Sequence, residues 1–169
     1  MNAFGVTRER LIFQPVFRDM KFHFVWIGKT KDKQWKALQD EYLRRLSHFV
    51  KCDVAEVKES AGHEGPDIEG ERILALLNQK TFAVLLDVTG EAISSPDLAA
   101  RIEKWQNRGL KEVSFIIGGA DGVSRRVAER ADISLSLSFL TFTHEMARVI
   151  LLEQLYRAYT IIKGFPYQK

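Results

Sequence analysis

Phe115-Ile116-Ile117-Gly118-Gly119-Ala120-Asp121-Gly122 joins an apolar run to a turn rich in glycine. The aromatic and β-branched residues predict a strand over Glu112 to Ile117. Glycine permits a tight turn and close approach of backbone to a ligand, and a following helix offers unpaired N–H groups. Ser124 can cap that helix, which extends through Arg130. Working outward, Phe22 to Ile27 reads as a buried first strand that stops at Gly28. Between Asp32 and Phe49, Trp35, Leu38, Tyr42, Leu46 and Phe49 recur at helical spacing and mark one apolar stripe. A strand around Cys52 leads into a polar loop from Glu56 to Glu69, and a helix follows over Asp67 to Gln79.

Phe82 to Val88 is a nearly continuous apolar run, as in a strand buried on both faces. Ser95-Pro96-Asp97 has the residues of a helix start, with Ser95 as N-cap, and Gly109 fits as its stop. Ile133 to Leu137 supplies the last strand. Thr143 is the N-cap of a long amphipathic helix covering Glu145 to Lys163, with His144 in its first turn. Strands separated by helix-length segments imply parallel βαβ units, hence an α/β fold with three αβα layers and a mainly parallel sheet. Ligands in such sheets bind beyond the carboxyl ends of the strands. Here those ends are Leu86-Asp87, Gly118-Gly119 and Leu137-Ser138.

A chain of 169 residues with 46% hydrophobic residues predicts one domain with an ordinary core. The formal net charge of +3 and pI of about 9.0 permit a polyanionic partner without demanding one. Cys52 is the only cysteine, which excludes an intramolecular disulfide and fits a reducing cytoplasm. The four histidines are scattered without recognised ligand spacing, so no metal is assigned. No apolar run is long enough to span a bilayer, and the first residues lack a signal-peptide core. Residues 1–19 mix aromatic and basic residues without sustained periodicity. Met20 directly precedes the first strand and offers an alternative translation start, so residues 20–169 are read as the single domain.

The glycine turn lacks a complete Gly-x-Gly-x-x-Gly pattern and comes late in the chain, which argues against a dinucleotide site. Leu137 to Phe142 mixes apolar and hydroxyl residues after a strand, where backbone could grip an adenine edge. His144 and Arg148, one turn apart, would point together towards a phosphate or a polarised base. An ordinary surface pair has the same spacing. Glu153 and Arg157 are likewise spaced as a helix pair.

Together with that C-terminal pattern, Lys21-Phe22 through Gly28-Lys29, Glu41-Tyr42-Leu43-Arg44-Arg45-Leu46, Gly70-Glu71-Arg72-Ile73-Leu74, Ile117-Gly118-Gly119 and Glu153-Gln154-Leu155-Tyr156-Arg157-Ala158 resemble the RlmH family of the SPOUT superfamily. The resemblance runs from about Met20 to Lys169. It implies S-adenosylmethionine-dependent methylation at N3 of a pseudouridine in 23S ribosomal RNA, a homodimer and a C-terminal trefoil knot. Cofactor binding is carried onto Leu86, Gly118 and the loop Leu137, Ser138, Phe139, Leu140, Thr141 and Phe142. His144, Arg148 and Tyr167 form the implied catalytic set, with Tyr156 and Arg157 near the substrate.

Two positions depart from the family pattern: Thr143 replaces a proline, and Gln168 replaces a histidine in the final Pro-Tyr-His. Threonine can keep the helix start by capping. Glutamine can position a group but cannot exchange a proton near neutral pH. An RNA-binding protein of this fold without transfer chemistry is therefore a second reading, and a nucleotide-binding oxidoreductase a third. Arg125, Arg126, Arg130, Lys163 and Lys169 are the basic residues expected to serve RNA, combined across a dimer or supplemented by an assembled ribosome.

Overall fold

A computed structural model of the protein describes residues 20–60 and 65–168. The extension 1–19, His63, Lys169 and the side chain of Gln168 lie outside the described residues. Five strands, β1 (Lys21–Ile27), β2 (Lys51–Val57), β3 (Phe82–Ala92), β4 (Glu112–Ile117) and β5 (Ile133–Ser136), form a sheet in the order β2-β1-β4-β3-β5. Their ladders are all parallel. The helices are α1 (Lys33–Leu46), α2 (Gly65–Leu76), α3 (Ser95–Asn107), α4 (Arg125–Arg130) and α5 (His144–Lys163), and a 3-10 turn follows at Pro166–Gln168.

The period of two along the central strands divides the core. Phe22, Phe24, Trp26, Val84, Phe115 and Ile117 point to the face covered by Leu46 of α1, Ile102 and Trp105 of α3, and Leu151, Leu152 and Leu155 of α5. Val25, Ile27, Ala83, Leu85 and Ile116 point to the other, beneath Ile73 of α2 and Val127 of α4. Three αβα layers result, as the nearly continuous apolar runs require. Phe115 holds the larger core together, edge-on to Phe22 at 5.2 Å and stacked with Phe24 at 5.6 Å.

At the amino edge of the sheet, polar groups tie strand starts to one another. Lys21 Nζ lies 2.7 Å from Glu112 Oε2 and 3.6 Å from Asp53 Oδ2. The hydroxyls of Thr81 and Ser114 meet at 2.7 Å, and Asp132 accepts the Ala83 N–H at 2.7 Å.

Several boundaries differ from the sequence expectation. Ser94, not Ser95, caps α3: its hydroxyl accepts the Asp97 N–H while the Asp97 carboxylate accepts from the Ser94 backbone, a reciprocal capping box. α2 begins at Gly65 and ends at Leu76, earlier at both ends than the apolar spacing indicates. In α1, Leu38 is 43% exposed and Gln39 takes the inward position, because the Gln39 carboxamide accepts the Thr30 hydroxyl at 2.6 Å. β3 continues past Val88 to Ala92. Leu135 of β5 stands opposite both Leu86 and Glu91, so the residues between them leave the ladder and return. Asp87 accepts both the Thr89 N–H and the Thr89 hydroxyl inside that detour, at 2.8 and 2.6 Å. Gly90 then passes so close to β5 that a Cβ would come within 2.7 Å of the Leu135 carbonyl carbon.

Candidate active site

The carboxyl ends of β3, β4 and β5 open on a cleft of about 540 Å³. The detour within β3 contributes Asp87 and Val88, the glycine turn after β4 contributes Gly118, Gly119, Ala120 and Gly122, and the loop after β5 contributes Leu137, Ser138 and Leu140 to Thr143. His144 and Ala147, in the first turn of α5, complete the lining. The glycine turn is compact because Gly119 accepts the Gly122 N–H, and a Cβ on Gly118 would stand 2.6 Å from the Gly122 carbonyl oxygen. Glycine at 118 is therefore required by the turn itself. In the loop after β5, the Leu140 N–H donates to the Ser138 hydroxyl at 3.0 Å, and the Ser136 hydroxyl donates to the Ser138 carbonyl. These local bonds fix backbone along the cleft without help from a regular element.

Leu86, Gly118, Leu137, Ser138, Leu140, Thr141 and Phe142 all line this cleft. Phe139 does not: its side chain is 86% exposed, directed away from the wall that its neighbours form. His144 lies at the cleft because Thr143 caps α5 through the Met146 N–H, as expected from a hydroxyl residue at that position.

Arg148 departs from the sequence picture. Four residues after His144 on the helix, it is fully buried and does not line the cleft. Its guanidinium donates to the Ile27 carbonyl and, at 2.9 Å, to the Thr30 hydroxyl, and its Cζ lies 5.2 Å from the Trp26 ring centroid. Burial pulls its pKa down, against the influence of Glu145, Glu56 and Glu59. Imidazole and guanidinium thus do not converge on one ligand. The helix stripe that carries Arg148 continues into buried Val149, Leu152 and Leu155, which draws the arginine into the α1–α5 seam.

Tyr167 also lies outside the cleft of its own chain. Its hydroxyl is 3.2 Å from Glu153 Oε1 and 3.3 Å from the Tyr42 hydroxyl, and its ring packs edge-on to Tyr156 at 4.8 Å. Arg157 bonds to Glu153 and covers the Tyr167 ring at 4.9 Å. Burial, then Tyr42 and Glu153, hold the Tyr167 phenol neutral well above its ordinary range. The basic residues of α4 are engaged as well: Arg125 with Glu129, Arg126 with Glu71, and Arg130 with Asp132.

Asp87, named from the sequence only as a strand end, is one of several lining residues, with Val88, Val123 and Ala147, that the sequence did not assign to cofactor binding or catalysis. It ends an apolar run and reads as a boundary, yet it lines the cleft and anchors the β3 detour.

The layered parallel sheet and the cleft made from its carboxyl-edge loops define a protein of the SPOUT methyltransferase class. The family model described as "Predicted SPOUT methyltransferase" matches residues 20–168. Among solved structures, a probable methylase family protein from Haemophilus influenzae shares the fold with a TM-score of 0.52 and 9% identity, covering 90% of this chain and 71% of that one. A tRNA (m1G37) methyltransferase from Aquifex aeolicus gives 0.50 and 17%, covering 82% and 69%. Relatives by sequence narrow the class. Ribosomal RNA large subunit methyltransferase H of Geotalea uraniireducens is 42% identical over 151 residues, covering 88% of this chain and 99% of that protein. Its counterpart in Desulfotalea psychrophila is 42% identical over 154 residues, covering 89% and 100%. The chain belongs to this ribosomal RNA large subunit methyltransferase H family, and with it to the fold in which the C-terminal trefoil knot is implied.

Proposed function

We propose that the protein transfers a methyl group from S-adenosylmethionine to N3 of a pseudouridine in large-subunit ribosomal RNA. The observation that carries this reading is that the loops ending three parallel strands meet the first turn of α5 at one cleft, with His144 among its lining residues. The cleft suits the cofactor: Leu86, Ile117, Val123, Leu137 and Leu140 give apolar walls, while glycine backbone and the Ser138 and Thr141 hydroxyls offer hydrogen bonds. Asp87, the carboxylate in the lining, suits a ribose hydroxyl or a cationic centre.

When bound, S-adenosylmethionine supplies an electrophilic methyl carbon on a positively charged sulfur. The cleft residues would hold the cofactor, orient it towards the nitrogen that receives the methyl group and exclude water. The His144 imidazole is placed to accept the proton that leaves N3. Arg148 is a positioning residue that fixes the first turns of α5 against the end of β1. Because Tyr167 lies outside its own chain's cleft, a homodimer in which this tail serves the partner's site accounts for its implied role. A cytoplasmic setting follows from the ribosomal substrate.

The test is transfer of labelled methyl from S-adenosylmethionine to ribosomes lacking the modification, followed by nucleoside mass spectrometry. N3-methylpseudouridine is the expected product. A protein that binds the cofactor and ribosomes but leaves every nucleoside unlabelled has the non-catalytic role that Gln168 suggests.

A further inference from the structure

The loop between β1 and α1 places lysines beside the cleft, and the fold holds it there by contacts that no element boundary requires. Since β1 neighbours β4 in the sheet, this loop stands next to the glycine turn, with Ile27 Cγ2 only 3.4 Å from where a Gly119 Cβ would lie. The Lys31 N–H donates to Glu145 Oε1 at 2.6 Å, directly adjoining His144. Arg148 holds Ile27 and Thr30 from below, and the Thr30 hydroxyl donates to the buried Gln39 carboxamide oxygen at 2.6 Å. Four lysines (29, 31, 33 and 36) stand against one aspartate in residues 29–36, a formal +3 that equals the net charge of the whole chain.

Lys31 and Lys36 are steadied by Glu59 and Asp40, while Lys29 and Lys33 stand exposed. The first turn of α1 begins at Lys33, next to the N-cap Asp32, whose carboxylate accepts the Gln34 and Trp35 N–H groups at 2.8 and 3.0 Å. Asp32 thus satisfies the helix end itself, and the exposed Lys33 ammonium is left to face a polyanion lying across the loop. The arginines of α4, by contrast, are taken up by Glu129, Glu71 and Asp132.

We propose that the β1–α1 loop, through Lys29 and Lys33, is a phosphate-binding rail that seats ribosomal RNA beside the cleft. The proposal rests on the ribosomal RNA reading of the site but not on methyl transfer. Each phosphate contact contributes about 0.7–0.9 to the slope of log affinity against log salt.

The test compares the parent with the double variant Lys29→Glu/Lys33→Glu, using labelled large ribosomal subunits and protein-free large-subunit RNA as probes. Expected are a loss of roughly tenfold in affinity at physiological salt and a slope shallower by about 1.5 for both probes. Calorimetry should show unchanged S-adenosylmethionine binding. The melting temperature should hold, because Lys29 and Lys33 are exposed and Asp32 still caps α1. Lost RNA affinity at unchanged stability separates a binding role from a structural one. An unchanged salt slope overturns the rail, as does a parent that binds neither probe. A loss confined to intact subunits assigns the lysines to ribosomal protein and also overturns it. Because binding is read without transfer, a parent that shows this salt dependence but moves no methyl group leaves the rail standing and removes only the transfer chemistry.

Discussion

The guanidinium of Arg148 donates to a backbone carbonyl and a hydroxyl, beneath the Trp26 ring. A charge so buried is stabilised by the planarity of arginine, which permits two donors and a stacked face at once. Arg148→Ala removes those bonds, opens a cavity and should lower stability by about 3 kcal/mol. Arg148→Lys should recover only part of that, since an ammonium has no planar fork. Denaturant titration reads both variants, and ribosome-dependent transfer in the soluble fraction should fall in the same order. An Arg148→Ala protein with the parent's midpoint would remove the positioning role.

Among the elements, α3 offers the sharpest test of a boundary. Ser94→Ala should cost about 1 kcal/mol and Ser94→Gly only a few tenths, as for other N-caps. Equal losses for the two would refute the cap. Asp97, held below the usual carboxylate range chiefly by the Ser94 hydroxyl and then by the Ser94 backbone, adds a pH dependence. A depressed folded pKa contributes stability above the unfolded carboxylate pKa, and that contribution disappears as pH falls through the folded value. Parent and Asp97→Asn should therefore converge in melting temperature on acidification. The order of strands and helices was legible because apolar period and glycine punctuation are local signals. Ser94 and Ser95 are chemically alike, and only the backbone path shows which reaches the Asp97 N–H. The β3 detour was hidden because Asp87 to Gly90 reads as a strand end until β5 supplies a second partner. Of the site, Leu86, Gly118 and most of the 137–142 loop could be named from a strand-end rule and resemblance. Arg148, Leu38 and Phe139 were misplaced because helix or loop spacing does not reveal which neighbour lies across the seam.

For the whole molecule, the separation of Tyr167 from its own cleft leads to an assembly prediction. Light scattering should give the mass of two 19.4 kDa chains at assay concentration. Gly118→Val, whose side chain collides with the Gly122 carbonyl, and Tyr167→Ala should each be poorly active. An equimolar mixture of the two should recover transfer, because one hybrid site has an intact cleft and an intact tail. A fully active monomer, or a mixture with no recovery, would refute the shared site. The two edges of the sheet finally divide the labour of the chain. At the amino edge, the Lys21, Asp53, Glu112 and Asp132 contacts fasten strand starts and touch none of the cleft. At the carboxyl edge, loops held by their own local hydrogen bonds line the cleft. Such a scaffold is modular: the chemistry can be revised loop by loop over evolutionary time while the opposite edge keeps the packed layers of side chains between them in register.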